Sequence, residues 1–321
     1  MVKRWPLAVA FQSLLDLLLS LVWPMFKWLL TKFSGRCELL RIVLRYPSGA
    51  ERICKLELAI RASGCPAVRA LLPAVQPAQQ GGDRGKDELI SAAQAAEAAS
   101  AVAVAKRVEP GVYPQFESAL AEAAIAVASH DRLCRRADAV RRVAFSNDCA
   151  EHEAKLAKLW TALCPGQPLS GRICKQWGDI GFQGDDPQTD FRGMGMLGLE
   201  QLLFLASRYP SQAAAVLSQS QHPVSGFPFA VAGINIGHLV WRLLAARKFR
   251  KHFYNLGSYE LDDLHRLFCC LFLRFADFWQ RQGASVMEFN SVKAKFKRLI
   301  KTEAARSDCL FRAPEESSET G

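Results

Sequence analysis

A chain of 321 residues, half of them hydrophobic and 22% charged, has the make-up of a globular protein, which excludes wholesale disorder, a collagen-like fibre and a disulfide-dense miniature fold. Lys and Arg number 41 against 31 Asp and Glu, a formal charge of +10 that suits anionic lipid, nucleic acid or an acidic protein surface. The ten cysteines form no CxxC pair and follow no secreted spacing, so they read as reduced thiols of a cytosol-facing fold. His265 and Cys269 share a helix face, but zinc needs about four converging ligands; a buried structural role is expected for the pair, and no metal.

At the start, Lys3 and Arg4 precede an apolar run, residues 7–30, broken by Gln12, Asp16, Pro24 and Lys27. A cleaved signal peptide suits the basic start, yet no small-residue cleavage site follows. A spanning helix over residues 5–23 is nearly long enough, but Asp16 near its centre would cost about 2.5–3.5 kcal/mol. A membrane-lying or hairpin anchor places Trp5, Trp23 and Trp28 at the interface and Lys27, Lys32 and Arg36 against headgroups. A core helix is the remaining alternative. Membrane association of residues 1–36 is the expectation, spanning or lying.

Residues 37–62 hold two β-branched pieces, 40–44 and 53–60, divided by Tyr46-Pro47-Ser48-Gly49; a hairpin and a helix pair both fit. Residues 66–85 read as a Gly/Pro/Gln-rich linker. Nine alanines between 92 and 105 predict a helix of little further information, stopped by Pro110, Gly111 and Pro114. Residues 117–130 and 131–145 read as two helices, and Glu151 opens an amphipathic one carrying Leu156, Leu159, Trp160 and Leu163. Residues 172–177 are a short helix candidate, and 197–207 is a helix so apolar that it must be buried on most sides. Helices over 229–246, 261–281 and 286–301 complete an all-α fold. The expected organisation is a hydrophobic segment 1–36, an extension 37–114, a helical domain 115–310 and an acidic tail 311–321.

Charge is unevenly spread. From Gln201 to Tyr259 there is no Asp or Glu, while six Lys or Arg occur. Arg247, Lys248, Arg250 and Lys251 read as a solvated face, or as contacts for anionic lipid.

Residues 176–198 depart from this background, with six glycines, four aspartates and one arginine, Arg192. Gly193, Gly195 and Gly198 form GxGxxG, but a dinucleotide fingerprint needs an apolar strand before it and an acid about 20 positions on. Here Asp190-Phe191-Arg192 precedes, and no acid follows Glu200 before Glu260. No lysine takes a Walker position. Asp179, Asp185, Asp186 and Asp190 do not match an EF-hand; they read as loop acids and caps, with Thr189 or Asp190 capping the next helix. Arg192 is the odd residue, because a cation in the first turn of a helix meets the positive end of its dipole. A structural role would have it held by Asp185, Asp186 or Asp190; the glycines beside it permit another backbone to approach closely.

The pattern Trp177-x-x-Ile180-Gly181-Phe182-Gln183-Gly184-x-x-Pro187-x-Thr189-Asp190-Phe191-Arg192-Gly193-x-Gly195-x-x-Gly198-Leu199 resembles the signature of the ELMO (engulfment and cell motility) domain, in particular of its short, ELMOD-type members. The likeness extends upstream through Leu159-Trp160, Pro168-Leu169 and Arg172-Ile173. Downstream it takes in Phe229-Ala230-Val231, Gly233-Ile234-Asn235 and His252-Phe253-Tyr254-Asn255, then Phe278-Trp279 and Met287-Glu288-Phe289-Asn290. Gly35-Arg36-Cys37-Glu38-Leu39 is similar to the short members' N-terminus. The alanine-rich stretch departs from the family pattern.

The resemblance implies a compact multi-helix ELMO-type domain that activates GTP hydrolysis by Arf and Arf-like small GTPases, with Arg192 required. Phosphoryl transfer to water builds negative charge that a guanidinium inserted in trans stabilises, an effect worth about 10³–10⁵ in rate. Lysine lacks the planar fork. In that reading Asp185, Asp186 and Asp190 orient Arg192, Gly193 and Gly195 admit the partner, and Trp177, Ile180 and Phe182 are core. The protein would be a regulator acting on a partner enzyme, with no cofactor of its own, since GTP and Mg²⁺ belong to the GTPase. Its place would be the cytosolic face of intracellular membranes such as endoplasmic reticulum or Golgi. The alternative is a non-catalytic ELMO-domain scaffold that binds small GTPases or their exchange factors. Nucleic-acid binding by the basic-aromatic residues 248–254 lacks a recognised reader motif.

Overall fold

The computed structural model describes Val22, Met25, residues 29–72 and residues 90–315. The apolar run 7–30 lies outside them apart from Val22, Met25, Leu29 and Leu30, as do most of the expected linker and the end of the acidic tail. Every regular element among the described residues is helical, and they divide into two compact units, 29–72 with 90–127, and 128–315.

In the first unit, residues 37–62 form two helices, α1 (Glu38–Arg45) and α2 (Ala50–Arg61). Leu39, Leu40 and Val43, then Ile53, Leu56 and Ile60, recur at helical steps and are the buried positions, a spacing no strand could put on one face. The first residues of the expected linker are instead a helical turn, α3 (Pro66–Ala70), led by its proline. In α4 (Ala92–Ala105) the Ser91 hydroxyl accepts the Gln94 N–H at 3.1 Å while the Gln94 side chain accepts the Ser91 N–H at 2.8 Å, a capping box. Ala95, Ala99 and Val102 form its buried stripe. Arg52 ties α2 to Glu122 of α5 (Gln115–Arg142) at 2.6 Å.

The single helix α5 replaces the two expected over 117–145. Ser129, His130 and Asp131 look like a polar break, but none is a helix breaker and all three are buried. Asp131 forms an ion pair with Arg247, and His130 lies edge-on to Phe253 and Tyr254.

The second unit is built around α7 (Gly195–Arg208), with Leu197, Leu199, Leu202 and Leu205 fully buried. It packs against α6 (Ala150–Leu163), α8 (Pro210–Ser220), α9 (Phe229–Ala245) and α11 (Leu261–Gln282). Leu264, Leu267, Phe268, Leu271, Phe272 and Phe275 give α11 its apolar stripe, and a capping box of Glu260 with Asp263 opens it. A 3₁₀ turn, Val286–Glu288, leads into α12 (Phe289–Ala304), whose inner face is Val292, Phe296 and Ile300 at steps of four.

The basic stretch after α9 does not form a uniform solvated face. Arg247 is held by Asp131, Lys251 donates to the Ala305 carbonyl at 2.7 Å, and the aromatic members Phe249, Phe253 and Tyr254 are buried. Rings inside the core cannot stack on bases, so the aromatic half of that basic-aromatic pattern is structural. His265 and Cys269 share a buried face of α11; no group of three or more metal-binding side chains converges among the described residues. Nor is any single described helix long and apolar enough to cross a membrane.

After α12 the chain returns over α10 (Arg250–Leu256), where the buried His252 accepts the Phe311 N–H at its Nδ1, 3.2 Å away. Burial, opposed only in part by Asp263, pushes the His252 imidazole from 6.5 down to about 4. A folded-state value below the unfolded one means that the unfolded chain takes up more protons, so stability falls as pH drops from about 6.5 towards 4. Between about pH 7 and about pH 4.5 the wild type should lose roughly 2–3 kcal/mol more than His252→Gln in urea titrations; parallel losses would acquit His252. Phe272→Ala should lower stability by about 3–5 kcal/mol, because its ring is buried between Phe229 and Phe268. Met287→Ala, at an exposed position, should change it by less than about 0.5 kcal/mol in the same titration.

Candidate functional site

Two 3₁₀ turns, Lys175–Ile180 and Pro187–Gly193, carry most of the glycine-rich motif between α6 and α7. Trp177 and Ile180 are buried in the first, which ends at Gly181 in the left-handed region (φ 83°). There a Cβ would lie 2.2 Å from the Phe229 backbone nitrogen, so only glycine lets the turn close onto α9, with Val231 N–H donating to the Gly181 carbonyl at 3.2 Å. The cap of the second turn is Asp186, not Thr189 or Asp190: its Oδ1 accepts the Gln188 N–H at 3.0 Å, with Pro187 in the first helical position. Thr189 donates its hydroxyl back to the Asp186 carbonyl at 3.3 Å. The helix that follows, α7, begins only at Gly195 behind Met194 and has no side-chain cap, so neither Thr189 nor Asp190 caps it.

Phe191 is 1% exposed and anchors this turn. Its ring stacks on Phe145 at 5.6 Å and meets Phe182 edge-on at 5.6 Å. Phe182 meets Trp177 at 5.8 Å, and Trp177 meets Trp160 at 5.4 Å. The Trp177 indole N–H donates to the Arg172 carbonyl at 2.9 Å, which satisfies its polar edge. With three residues per turn, burying Phe191 swings the next side chain about 120° away; Arg192 and Gly193 are exposed.

The carboxylates are distributed differently from the expectation. Asp186 is 3.1 Å from Arg172, not paired with Arg192. Arg172 also reaches Glu153 at 2.5 Å and the Asn147 side-chain carbonyl at 2.8 Å, and lies over the Phe145 ring. Burial, the largest influence on Asp186, would raise its carboxyl; the Gln188 N–H, the Arg172 charge and Asn147 outweigh it and hold the group below the usual carboxylate value. Asp190 is pushed above it by burial, against the Gln183 N–H and the Arg192 charge; its Oδ2 accepts that N–H at 2.9 Å, fixing the loop that carries Gln183 and Gly184. Asp185 accepts the Cys174 N–H through its backbone carbonyl at 3.0 Å, and its side chain is exposed. Among the described residues, Arg192 makes no hydrogen bond or ion pair.

Gly193 and Gly195 differ in kind. Nothing lies within 4 Å of a Cβ placed on Gly193, whereas at Gly195, with φ at 49°, a Cβ would lie 2.3 Å from the carbonyl oxygens of Arg141 and Val143. Gly195 thus lets α7 start against the end of α5, where Met196 N–H donates to the Val143 carbonyl at 2.9 Å. It is a packing glycine, and Gly193 is the one that leaves open space beside Arg192. The sequence pattern did not single out Arg141, which donates to the Gly193 carbonyl at 3.4 Å and stacks 4.2 Å over Trp241. Nor did it give Arg172, Glu153 and Asn147 their role as the motif's electrostatic base; a lone Arg172 beside the motif carries no sign of partners 19 and 25 positions away.

The all-helical unit thus carries a turn closed by Gly181 and Gly195 and anchored by Phe191. The sequence pattern of the ELMO/CED-12 family matches residues 135–293. ELMO domain-containing protein 1 of Bos taurus is 35% identical over 301 residues, covering 87% of each chain. ELMO domain-containing protein 2 of Homo sapiens is 34% identical over 278 residues, covering 86% of this chain and 89% of its own. ELMO domain-containing protein B of Dictyostelium discoideum is 40% identical over 161 residues, covering 50% of this chain and 56% of its own. The chain belongs to the ELMO/CED-12 family, on the side of its ELMO domain-containing proteins. No solved structure matches it significantly.

Substituting the two glycines separates their roles. Gly195→Ala, forced against two carbonyls in a left-handed backbone, should cost at least about 2 kcal/mol in urea unfolding. Gly193→Ala should stay within about 0.5 kcal/mol of wild type. Equal losses at both positions would remove the distinction.

Proposed function

We propose that this protein activates GTP hydrolysis by Arf or Arf-like small GTPases, supplying Arg192 in trans. One observation carries the reading: Arg192 projects from a turn rigidly seated by Phe191, exposed and without an ion-pair partner among the described residues. An arginine serving stability would be expected in the place Arg172 takes, forked into Asp186 and Glu153.

In the proposed reaction the GTPase brings GTP, Mg²⁺ and the attacking water, so the protein is a regulator with no cofactor of its own. As the γ-phosphoryl group leaves, negative charge grows on its equatorial and bridging oxygens. The Arg192 fork donates to those oxygens, which lowers the barrier by about 4–7 kcal/mol when the site is closed to water. Asp190 contributes through its bond to the Gln183 N–H, which fixes the loop that carries Gln183 and Gly184. Gly193, with no Cβ, leaves room for the partner's backbone beside the guanidinium. Residues 1–36, with their tryptophans and flanking cations, would keep the protein at the cytosolic face of an endomembrane.

The test is single-turnover phosphate release from a panel of GTP-loaded Arf-family proteins, with wild type and Arg192→Lys, both checked for folding by circular dichroism. Wild type should accelerate at least one member by about 10³-fold or more, and Arg192→Lys should abolish nearly all of that gain. Equal acceleration by both would leave an activator whose catalytic arginine is not Arg192. Binding of the GTPase with no acceleration would replace the proposal with a scaffold.

A further inference from the structure

A second feature adjoins Arg192 and is not used by the finger itself. Helix α9 buries Gly233, Ile236, Gly237 and Val240, and presents Asn235, His238, Trp241 and Arg242 on its other side. Trp241 is half-buried, capped on one face by Arg141 and 5.8 Å from the His238 ring. Lys293 reaches across from α12 to the Asn235 side-chain carbonyl at 2.7 Å, which places Lys293 and Lys297, one helical turn on, beside the same face.

The electrostatics agree. Burial lowers the His238 imidazole below its usual value, followed by the charges of Arg242, Lys293, Arg141 and Lys297. Four cations therefore act on His238, and one of them, Arg141, also covers the Trp241 indole. Asp138 offsets part of this, lying 2.9 Å from Arg141, but α9 and its flanks supply no carboxylate, since residues 201–259 contain none. Holding these charges together with only partial compensation opposes folding. The face is continuous with the motif: Arg141 donates to the Gly193 carbonyl, next to Arg192, and the turn Pro187–Gly193 packs on α9.

We propose that Arg141, His238, Trp241, Arg242, Lys293 and Lys297 form the docking face for a carboxylate-rich patch of the GTPase, setting affinity while Arg192 sets rate. This rests on the activator reading for its partner. A protein surface is favoured over a lipid headgroup by the half-buried Trp241, a flat, rigid ring between Arg141 and His238 of the kind that anchors interface hot spots. Association steered by such a face is fast and falls with salt.

The test pairs Arg242→Glu/Lys297→Glu with Lys158→Glu, an exposed charge on α6, in the full-length protein. With soluble GTPase and no vesicles, the double variant should raise the concentration for half-maximal acceleration by about tenfold or more, most strongly at low salt, with the maximal rate unchanged. Lys158→Glu should behave as wild type. An unchanged half-maximal concentration, or an equal shift from Lys158→Glu, would overturn the proposal. So would a double variant normal with soluble GTPase that loses co-sedimentation with phosphatidylserine vesicles, which would make the face a lipid surface. Should wild type accelerate no GTPase, binding of the partner loaded with a non-hydrolysable GTP analogue reads the face alone: tenfold weaker binding by the double variant supports it, and equal binding sinks it.

Discussion

The exposure of Arg192 is decided by the side chain before it. Phe191 joins Phe145 to an aromatic series that runs from Trp160 through Trp177 to Phe182. Burying a ring of that size is worth about 2–3 kcal/mol, and edge-on and stacked contacts add to it. Against that, the preference of an arginine for a carboxylate on the surface is worth less than about 1 kcal/mol. The turn is therefore oriented by Phe191, and Arg192 takes the direction that remains. A 3₁₀ geometry makes this strict, because its three-residue period leaves no freedom to bring residues 191 and 192 to one side.

The same hierarchy governs the charges. Arg172 is partly buried and must have partners, since a desolvated guanidinium without them would cost several kcal/mol. It takes Glu153, Asn147 and Asp186, so Asp186 is paired there and not with Arg192. Asp190 is bonded instead to a backbone N–H seven residues earlier. The motif's acids thus build the platform rather than holding the arginine on it. Among the described residues Arg192 has no hydrogen bond or ion pair to give up, although its side-chain entropy must still be lost on any contact.

Much of this was legible in the chain, and the limits are instructive. Helical periodicity located α6, α7, α9, α11 and α12 to within a few residues, because their apolar stripes are long. It failed at 117–145, where Ser129, His130 and Asp131 imitate a break; only partners distant in sequence, Arg247 and Phe253, make those polar groups tolerable inside a helix. The motif stood out by its glycines, yet their spacing alone could not separate Gly195, jammed against two carbonyls, from Gly193, open to space. The capping expectation misses by three or four residues for a similar reason: Asp186, Thr189 and Asp190 each carry an oxygen able to cap, and Pro187 together with the burial of Phe191 decides among them.

What links the motif to the basic face is Arg141, the last turn of α5. Its carbonyl abuts Gly195, its guanidinium donates to the Gly193 carbonyl, and its plane covers Trp241. One residue thereby couples the packing of α7, the backbone that carries Arg192 and the cationic side of α9. Because the connection runs through a backbone carbonyl and a stacked ring rather than through the Arg192 side chain, it holds the two surfaces in fixed register without engaging the guanidinium. In the proposed complex a partner docked on α9 would meet Arg192 in one fixed geometry, so that the basic face would set occupancy and Arg192 the barrier.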